Sequence, residues 1–176
     1  AGRYAVYCKT IFPKELTLEG IEVVVDCANG AAYKVAPEVF EDLGATVVTL
    51  GTEPDGTNIN KRCGALHPEG MAAMVCRTGA QLGIALDGDA DRCILCDERG
   101  EIVDGDQILA VLARRMMRDG RLPGNAVVAT VMSNVGLERS LAEVGAKLVR
   151  VNVGDRYVVE RMRQDRFGLG GEQSGH

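Results

Sequence analysis

Three carboxylates at alternate positions are the strongest chemical signal in this chain: Leu86-Asp87-Gly88-Asp89-Ala90-Asp91-Arg92 sets Asp87, Asp89 and Asp91 between the apolar runs Leu82–Leu86 and Cys93–Cys96. A loop with this spacing can turn all three inward, and like charges held together are costly unless a cation or hydrogen-bond donors neutralise them. Carboxylate oxygens are hard ligands that suit Mg²⁺, which takes an octahedral shell and keeps positions for water or a phosphate oxygen. Gly88 and Ala90 keep the intervening positions small, so the backbone can curl around an ion. Arg92, directly beside the triad, can hold a phosphate through two parallel hydrogen bonds while the metal takes another of its oxygens. The chemistry expected is metal-assisted handling of a phosphorylated substrate. A solvated acidic turn with Arg92 as a surface ion-pair partner is the plain alternative.

Two other readings of the loop fit less well. Asp87, Asp89, Asp91 and Glu98 fall at EF-hand calcium-ligand spacing, but that loop needs glycine at its sixth position, where this chain has Arg92, and the flanks LGIAL and CILC are strand-like. A nucleophilic aspartate at Asp87-Gly88-Asp89 is conceivable, yet Asp91 and Arg92 close by suit a metal and phosphate cradle better.

A second set of polar groups ends the chain. Gly171-Glu172-Gln173-Ser174-Gly175-His176 combines a fixed negative charge, a hydroxyl and an imidazole with glycines that allow close approach of a ligand. If the segment is extended, Glu172 and Ser174 face the same side and can read neighbouring sugar hydroxyls. His176 could reach a phosphate or shuttle a proton, since imidazoles ordinarily titrate near neutral pH. Taken alone, the segment reads equally as a flexible polar terminus.

Behind these loops the apolar pattern predicts alternating strands and helices. A β-branched strand over Ile21–Cys27, a helix over Lys34–Leu43 ending at Gly44, and a strand over Thr46–Leu50 make a βαβ unit. A loop turning at Pro54-Asp55-Gly56 leads to a helix over Pro68–Thr78, and strands follow at Leu82–Leu86, Cys93–Cys96 and Ile102–Val103. From Asp106 the pattern begins again: a helix to about Arg118, a strand over Ala126–Val131, a helix over Gly136–Val144, a strand over Lys147–Val151 and a short helix over Tyr157–Arg163. The chain then stops on its Gly-rich loop with no closing strand, so the second unit is expected to be cut short.

Composition bounds the function. The 176 residues suffice for one large or two small units, and a 46% hydrophobic share with no Trp makes the core one of aliphatic residues, Ala and Met. Lys plus Arg number 20 against 25 Asp plus Glu, and the net charge of -5 argues against a nucleic-acid partner. No stretch suits a membrane span and AGRYAVYCK has no signal-peptide core, so no membrane partner and a cytoplasmic location are expected. Cys8, Cys27, Cys63, Cys76, Cys93 and Cys96 show no secreted-type framework; Cys93 and Cys96, three apart in a strand, point to opposite faces and pack rather than bind zinc.

ALDGDADR together with GGEQSGH resembles the phosphohexomutase family, whose second domain carries DGD-x-DR and whose third carries GE-x-S-GH. DCANGAAYKVAPEVFEDLGA, EPDGTNIN, CGALHPE, IVDGDQIL and VGDRYV are similar to the bacterial phosphoglucosamine mutase branch, and the similarity covers nearly the whole chain. The resemblance implies an α/β fold of mixed β-sheets sandwiched between helices, in two consecutive similar domains. Residues 1–103 would be the second family domain, with the metal loop, and residues 104–176 a truncated third domain, with the sugar loop. It further implies that Asp87, Asp89 and Asp91 bind Mg²⁺, that Arg92 contacts the transferring phosphate, and that Glu172 and Ser174 bind the sugar, with Gln173 a branch-typical residue between them. His176 would lie near the phosphate, and Asp155 and Arg156 would line the same cleft, although Val-Gly-Asp also reads as a simple turn.

The implied reaction interconverts glucosamine 6-phosphate and glucosamine 1-phosphate through a phosphoserine and a 1,6-bisphosphate. Neither the phosphoserine loop nor the final phosphate loop of the family is in this sequence, so the missing N- and C-terminal domains are expected partners and the 176-residue piece is expected to be inactive alone. The alternatives are a phosphomannomutase or phosphoglucomutase type of member, and a stand-alone metal- or sugar-phosphate-binding module.

Overall fold

The computed structural model describes residues 2–176. Its contacts divide into two compact units, Ala1–Val103 and Asp104–His176. In the first, α1 (Gly2–Ile11) packs on α2 (Val35–Asp42), and Lys9 pairs with Asp42. The strands β1 (Glu22–Asp26), β2 (Thr46–Leu50), β3 (Leu82–Leu86), β4 (Cys93–Cys96) and β5 (Ile102–Val103) form one sheet in the order β2-β1-β3-β4-β5. β1 pairs with β2 and β3 in parallel, while β4 and β5 join antiparallel, so the sheet is mixed.

Alternation of side chains along β1 divides the core between two faces. Val24 meets Met71 and Val75 of α3 (Glu69–Thr78) on one face, and Val23 and Val25 meet Ala36 and Phe40 of α2 on the other. Cys93 is half-buried and Cys96 buried, as expected of opposite faces, and both are free thiols. The order of the parallel strands fixes where a ligand can sit. The chain leaves β1 for one neighbour, β2, and returns on the far side as β3, so a crevice opens beyond the carboxyl ends of β1 and β3. The acidic loop leaves β3 at that edge.

The second unit repeats the logic on a smaller scale. Its strands β6 (Ala126–Thr130) and β7 (Lys147–Val151) are parallel and form a two-stranded sheet. Val127 and Ala129 of β6 pack with Leu109 and Ala113 of α4 (Gly105–Arg118) and with Leu137 and Leu141 of α5 (Val135–Glu143). α6 (Asp155–Asp165) packs against β6 and β7 through Val158, and begins ahead of the expected Tyr157. α4 opens on a capping box in which Asp104 and Gln107 each accept the other's backbone N–H, at 3.0 Å both ways.

The Gly-rich end is not a free loop. Val128 donates its N–H to Leu169 O at 3.1 Å and Gly171 donates to Val128 O at 3.0 Å, a parallel bridge that continues the small sheet. Among the described residues no helix is long and apolar enough to cross a membrane.

Candidate functional site

The acidic loop is built by its own turn and by the strands that bracket it. Asp87, the residue after β3, is 5% exposed; its Oδ1 accepts the Arg92 N–H at 3.1 Å, and its Oδ2 lies 3.7 Å from Arg92 Nε. The Asp87 carbonyl accepts the Ala90 N–H at 3.0 Å, closing a turn in which Ala90 takes a φ of 61°. A left-handed residue costs roughly 1–2 kcal/mol, and a small side chain keeps that cost at its low end. Asp89 and Asp91 are exposed.

One oxygen from each of Asp87, Asp89 and Asp91 lies within 4.8 Å of the others. In an octahedral Mg²⁺ shell neighbouring ligands are about 3 Å apart and opposite ones about 4 Å, so the triad has to draw in only slightly to fit. The donor set is all carboxylate, the chemistry a hard cation prefers. Arg92 is half-buried beside it and anchored toward Asp87.

Close backbone packing holds the loop from below. A side chain at Gly30 would put its Cβ 2.2 Å from Gly88 O, and Ala31 donates its N–H to that oxygen at 2.8 Å. Gly88 in turn has no room for a Cβ, which would come within 2.7 Å of Ile59 and 2.8 Å of Asn60 Nδ2. Sequence reasoning missed Gly30, Asn60 and, at the end of β1, the buried Asp26. The available signal for Asp26 was a charged residue set between the apolar run Val23–Val25 and Cys27.

In the second unit the terminal segment folds differently from the extended form considered above. Gly175 donates its N–H to Glu172 O at 3.0 Å and Glu172 donates to His176 O at 2.8 Å, so the segment closes into a turn with Gly175 at a φ of 103°. Glu172 and Ser174 consequently do not share a side: Glu172 is 7% exposed, whereas Ser174 is out in solvent and His176 partly so. Glu172 Oε1 accepts the N–H of Gly154 at 2.8 Å, tying this segment to the start of α6. That bond brings Asp155 and Arg156, both exposed in the first turn of α6, next to the Glu172 segment. The Arg156 guanidinium lies 6.0 Å from the Tyr157 ring centre.

Asp104 and Gly105 brace the segment from the other side. Gly105 donates to Gln173 O at 3.1 Å, and Gln173 Nε2 donates to Asp104 Oδ2 at 3.3 Å. A Cβ at Gly105 would stand 2.0 Å from Glu172 O, so the glycine of Val103-Asp104-Gly105-Asp106 is a close-approach position.

Two family models match the chain: phosphoglucomutase/phosphomannomutase alpha/beta/alpha domain II over residues 4–100, and domain III of the same family over residues 104–176. The chain belongs to the phosphoglucomutase/phosphomannomutase family. Within the family it is 64% identical over 175 residues to a phosphoglucosamine mutase of Anaeromyxobacter dehalogenans and 61% identical to that of Rhodospirillum rubrum. Each match covers 99% of this chain, and the chain spans 38% and 39% of the length of those two relatives. A solved phosphoglucomutase/phosphomannomutase family protein of Burkholderia thailandensis superposes with a TM-score of 0.85 at 29% identity, over 99% of this chain and 38% of its own. Family membership suggests a metal cofactor, and the acidic triad is the group of residues suited to hold it.

Proposed function

We propose that this chain is the metal- and sugar-binding middle of a phosphoglucosamine mutase, whose complete form interconverts glucosamine 6-phosphate and glucosamine 1-phosphate. The convergence of Asp87, Asp89 and Asp91 within 4.8 Å at the carboxyl ends of the parallel pair β1 and β3 carries the reading. The identity of 59–64% to phosphoglucosamine mutases across nearly the whole chain supports the choice of branch.

On this reading Asp87, Asp89 and Asp91 hold Mg²⁺, which when bound offsets charge on the oxygens of the transferring phosphoryl group. Arg92 offers its guanidinium to the same phosphate. Glu172 and Ser174 read sugar hydroxyls, Glu172 from a fixed position and Ser174 from an exposed one. Asp155 and Arg156 line the approach, and His176 holds or moves a proton near the phosphate. The phosphoryl group comes from a phosphoserine elsewhere in the protein: it passes to the free hydroxyl of the sugar phosphate, giving a 1,6-bisphosphate. After rebinding in the opposite orientation, that species returns its other phosphoryl group to the serine. Catalysis is positioning and electrostatics rather than covalent work by this chain. The reading places the enzyme in the cytoplasm, because a charged sugar phosphate does not cross a bilayer unaided.

The test is turnover of the complete protein with Mg²⁺ on glucosamine 1-phosphate, glucose 1-phosphate and mannose 1-phosphate, beside its Asp89→Ala variant. A glucosamine preference that is lost in the variant is the expected result. Faster turnover of the glucose or mannose phosphate moves the protein to the phosphoglucomutase or phosphomannomutase type, and no turnover of any favours a binding module. The 176-residue chain by itself is expected to give no conversion.

A further inference from the structure

We infer that Asp26 is a positioning residue for the acidic loop: one buried carboxylate fixes, through two separate struts, the residues on either side of Asp87. The inference rests on the metal-loop reading of Asp87, Asp89 and Asp91. Asp26 ends β1, is 1% exposed, and has both oxygens engaged by main-chain donors. Its Oδ1 accepts the Ala28 N–H at 2.9 Å and its Oδ2 accepts the Gly64 N–H at 2.8 Å.

Each donor begins a path to the metal loop. From Ala28 the chain runs through two consecutive left-handed residues, Ala28 at a φ of 53° and Asn29 at 50°, to Gly30 and Ala31. Ala31 donates to Gly88 O at 2.8 Å, while Gly30 lies flat against Gly88. From Gly64 the path is shorter: Ala65 donates to Leu86 O at 3.0 Å, and a Cβ on Gly64 would meet that same oxygen at 2.4 Å. Leu86 and Gly88 flank Asp87 in the sequence, so the Asp26 carboxylate governs where the first ligand of the triad stands. Left-handed alanine and asparagine persist only where surrounding bonds hold them. The Oδ1 bond to Ala28 supplies that hold on one side, and the Asn29 N–H donation to Gly51 O at 2.6 Å supplies it on the other. Residues that orient metal ligands without touching the metal control affinity strongly.

The experiment uses the complete protein with Mn²⁺ as the probe, titrated by electron paramagnetic resonance, comparing wild type, Asp26→Asn and Asp89→Asn. Amide hydrogen exchange of segments 28–31 and 64–65 is followed on the same samples. Asp26→Asn keeps the size of the side chain but leaves one of the two N–H groups without its carboxylate acceptor. The expected result is Mn²⁺ binding weakened by about tenfold or more, with faster exchange in those two segments and a cooperative melting transition retained. Wild-type Mn²⁺ affinity in Asp26→Asn, with wild-type exchange, overturns the inference. Should that variant fail to fold, wild type alone decides: by reciprocity Mn²⁺ must slow exchange in both segments, and unchanged exchange on metal saturation overturns the inference. Asp89→Asn separates this failure from failure of the metal reading, because equal Mn²⁺ binding by wild type and Asp89→Asn rejects the triad as the metal site. In that event faster exchange in Asp26→Asn still upholds the positioning of the loop, and unchanged exchange rejects it.

Discussion

Between Leu86 and Cys93 the chain is pinned at both ends by strands of a mixed sheet and braced from below at Gly88, whereas between Gly170 and His176 no strand follows, and the segment is held by a bridge to β6, by the Glu172 bond to Gly154 and by the bonds of Asp104 and Gly105 to Gln173. The contrast follows from what each loop must hold. Three carboxylates kept within 4.8 Å repel one another in the absence of a cation, and only a rigid frame keeps them converged. A loop proposed to read hydroxyls carries no such internal repulsion. It needs aim more than stiffness, and the structure commits Glu172 to the backbone while leaving Ser174 exposed.

The largest test of this contrast is removal of a carboxylate from the rigid loop. In the complete enzyme Asp89→Ala is expected to lower kcat on glucosamine 1-phosphate by about 10²–10³-fold, the loss typical of one preorganised charge-stabilising group. Because Asp89 is exposed, its melting temperature should stay within a few degrees of wild type. A comparable rate with a collapsed melting temperature would reverse the assignment of rigidity and chemistry.

Glu172→Ala should act on binding instead. It removes the acceptor of the Gly154 N–H, and a hydrogen bond to a charged group is worth about 1.5–3 kcal/mol, so KM for the sugar phosphate should rise roughly tenfold or more with a smaller change in kcat. Steady-state kinetics separate the two parameters, and an effect on kcat alone would show that Glu172 serves chemistry rather than aim.

Gly30→Ala probes the brace without touching any proposed ligand. Its Cβ would stand 2.2 Å from Gly88 O, and overpacking of this kind costs about 1–3 kcal/mol, to be read from urea unfolding of the first unit's signal. A neutral result would mean that the acidic loop yields more easily than the contact geometry implies.

The smallest effect concerns pH. Burial, with Asp26 beside it, pushes the Cys27 thiol up to about 12, so folding favours its protonated form. The stability this contributes is complete below the ordinary thiol value of 9.0 and is lost as pH rises from there toward 12. A gradual alkaline fall in the unfolding midpoint, flattened in Cys27→Ala, is expected for the unit that holds the acidic loop. An equal slope in both proteins would assign the fall to other groups.

The strands were the most legible part of the sequence. Thr46–Leu50, Leu82–Leu86, Cys93–Cys96 and Lys147–Val151 lie where the apolar runs put them; the central strand β3 is apolar throughout, as a strand covered on both faces must be, whereas β2 and β7 keep Thr46, Thr49, Lys147 and Arg150 exposed. α1 was missed, since GRYAVYCKTI spreads its apolar residues around the helix and keeps Tyr4, Val6, Tyr7 and Ile11 exposed. Its cue lies in packing on α2, a contact between segments distant in the chain.

By itself the sequence determined the two βα units, the proximity of Asp87, Asp89 and Asp91, and the family, because a run of six residues between strands can place its own carboxylates and because motifs are local. Tertiary structure alone decided that Glu172 turns inward to Gly154 while Ser174 turns out, that Leu169–Gly171 extends the small sheet, and that Asp26 accepts the backbone N–H groups of Ala28 and Gly64. Those outcomes depend on which backbone N–H groups a distant fold leaves in need of an acceptor, a quantity no local pattern carries.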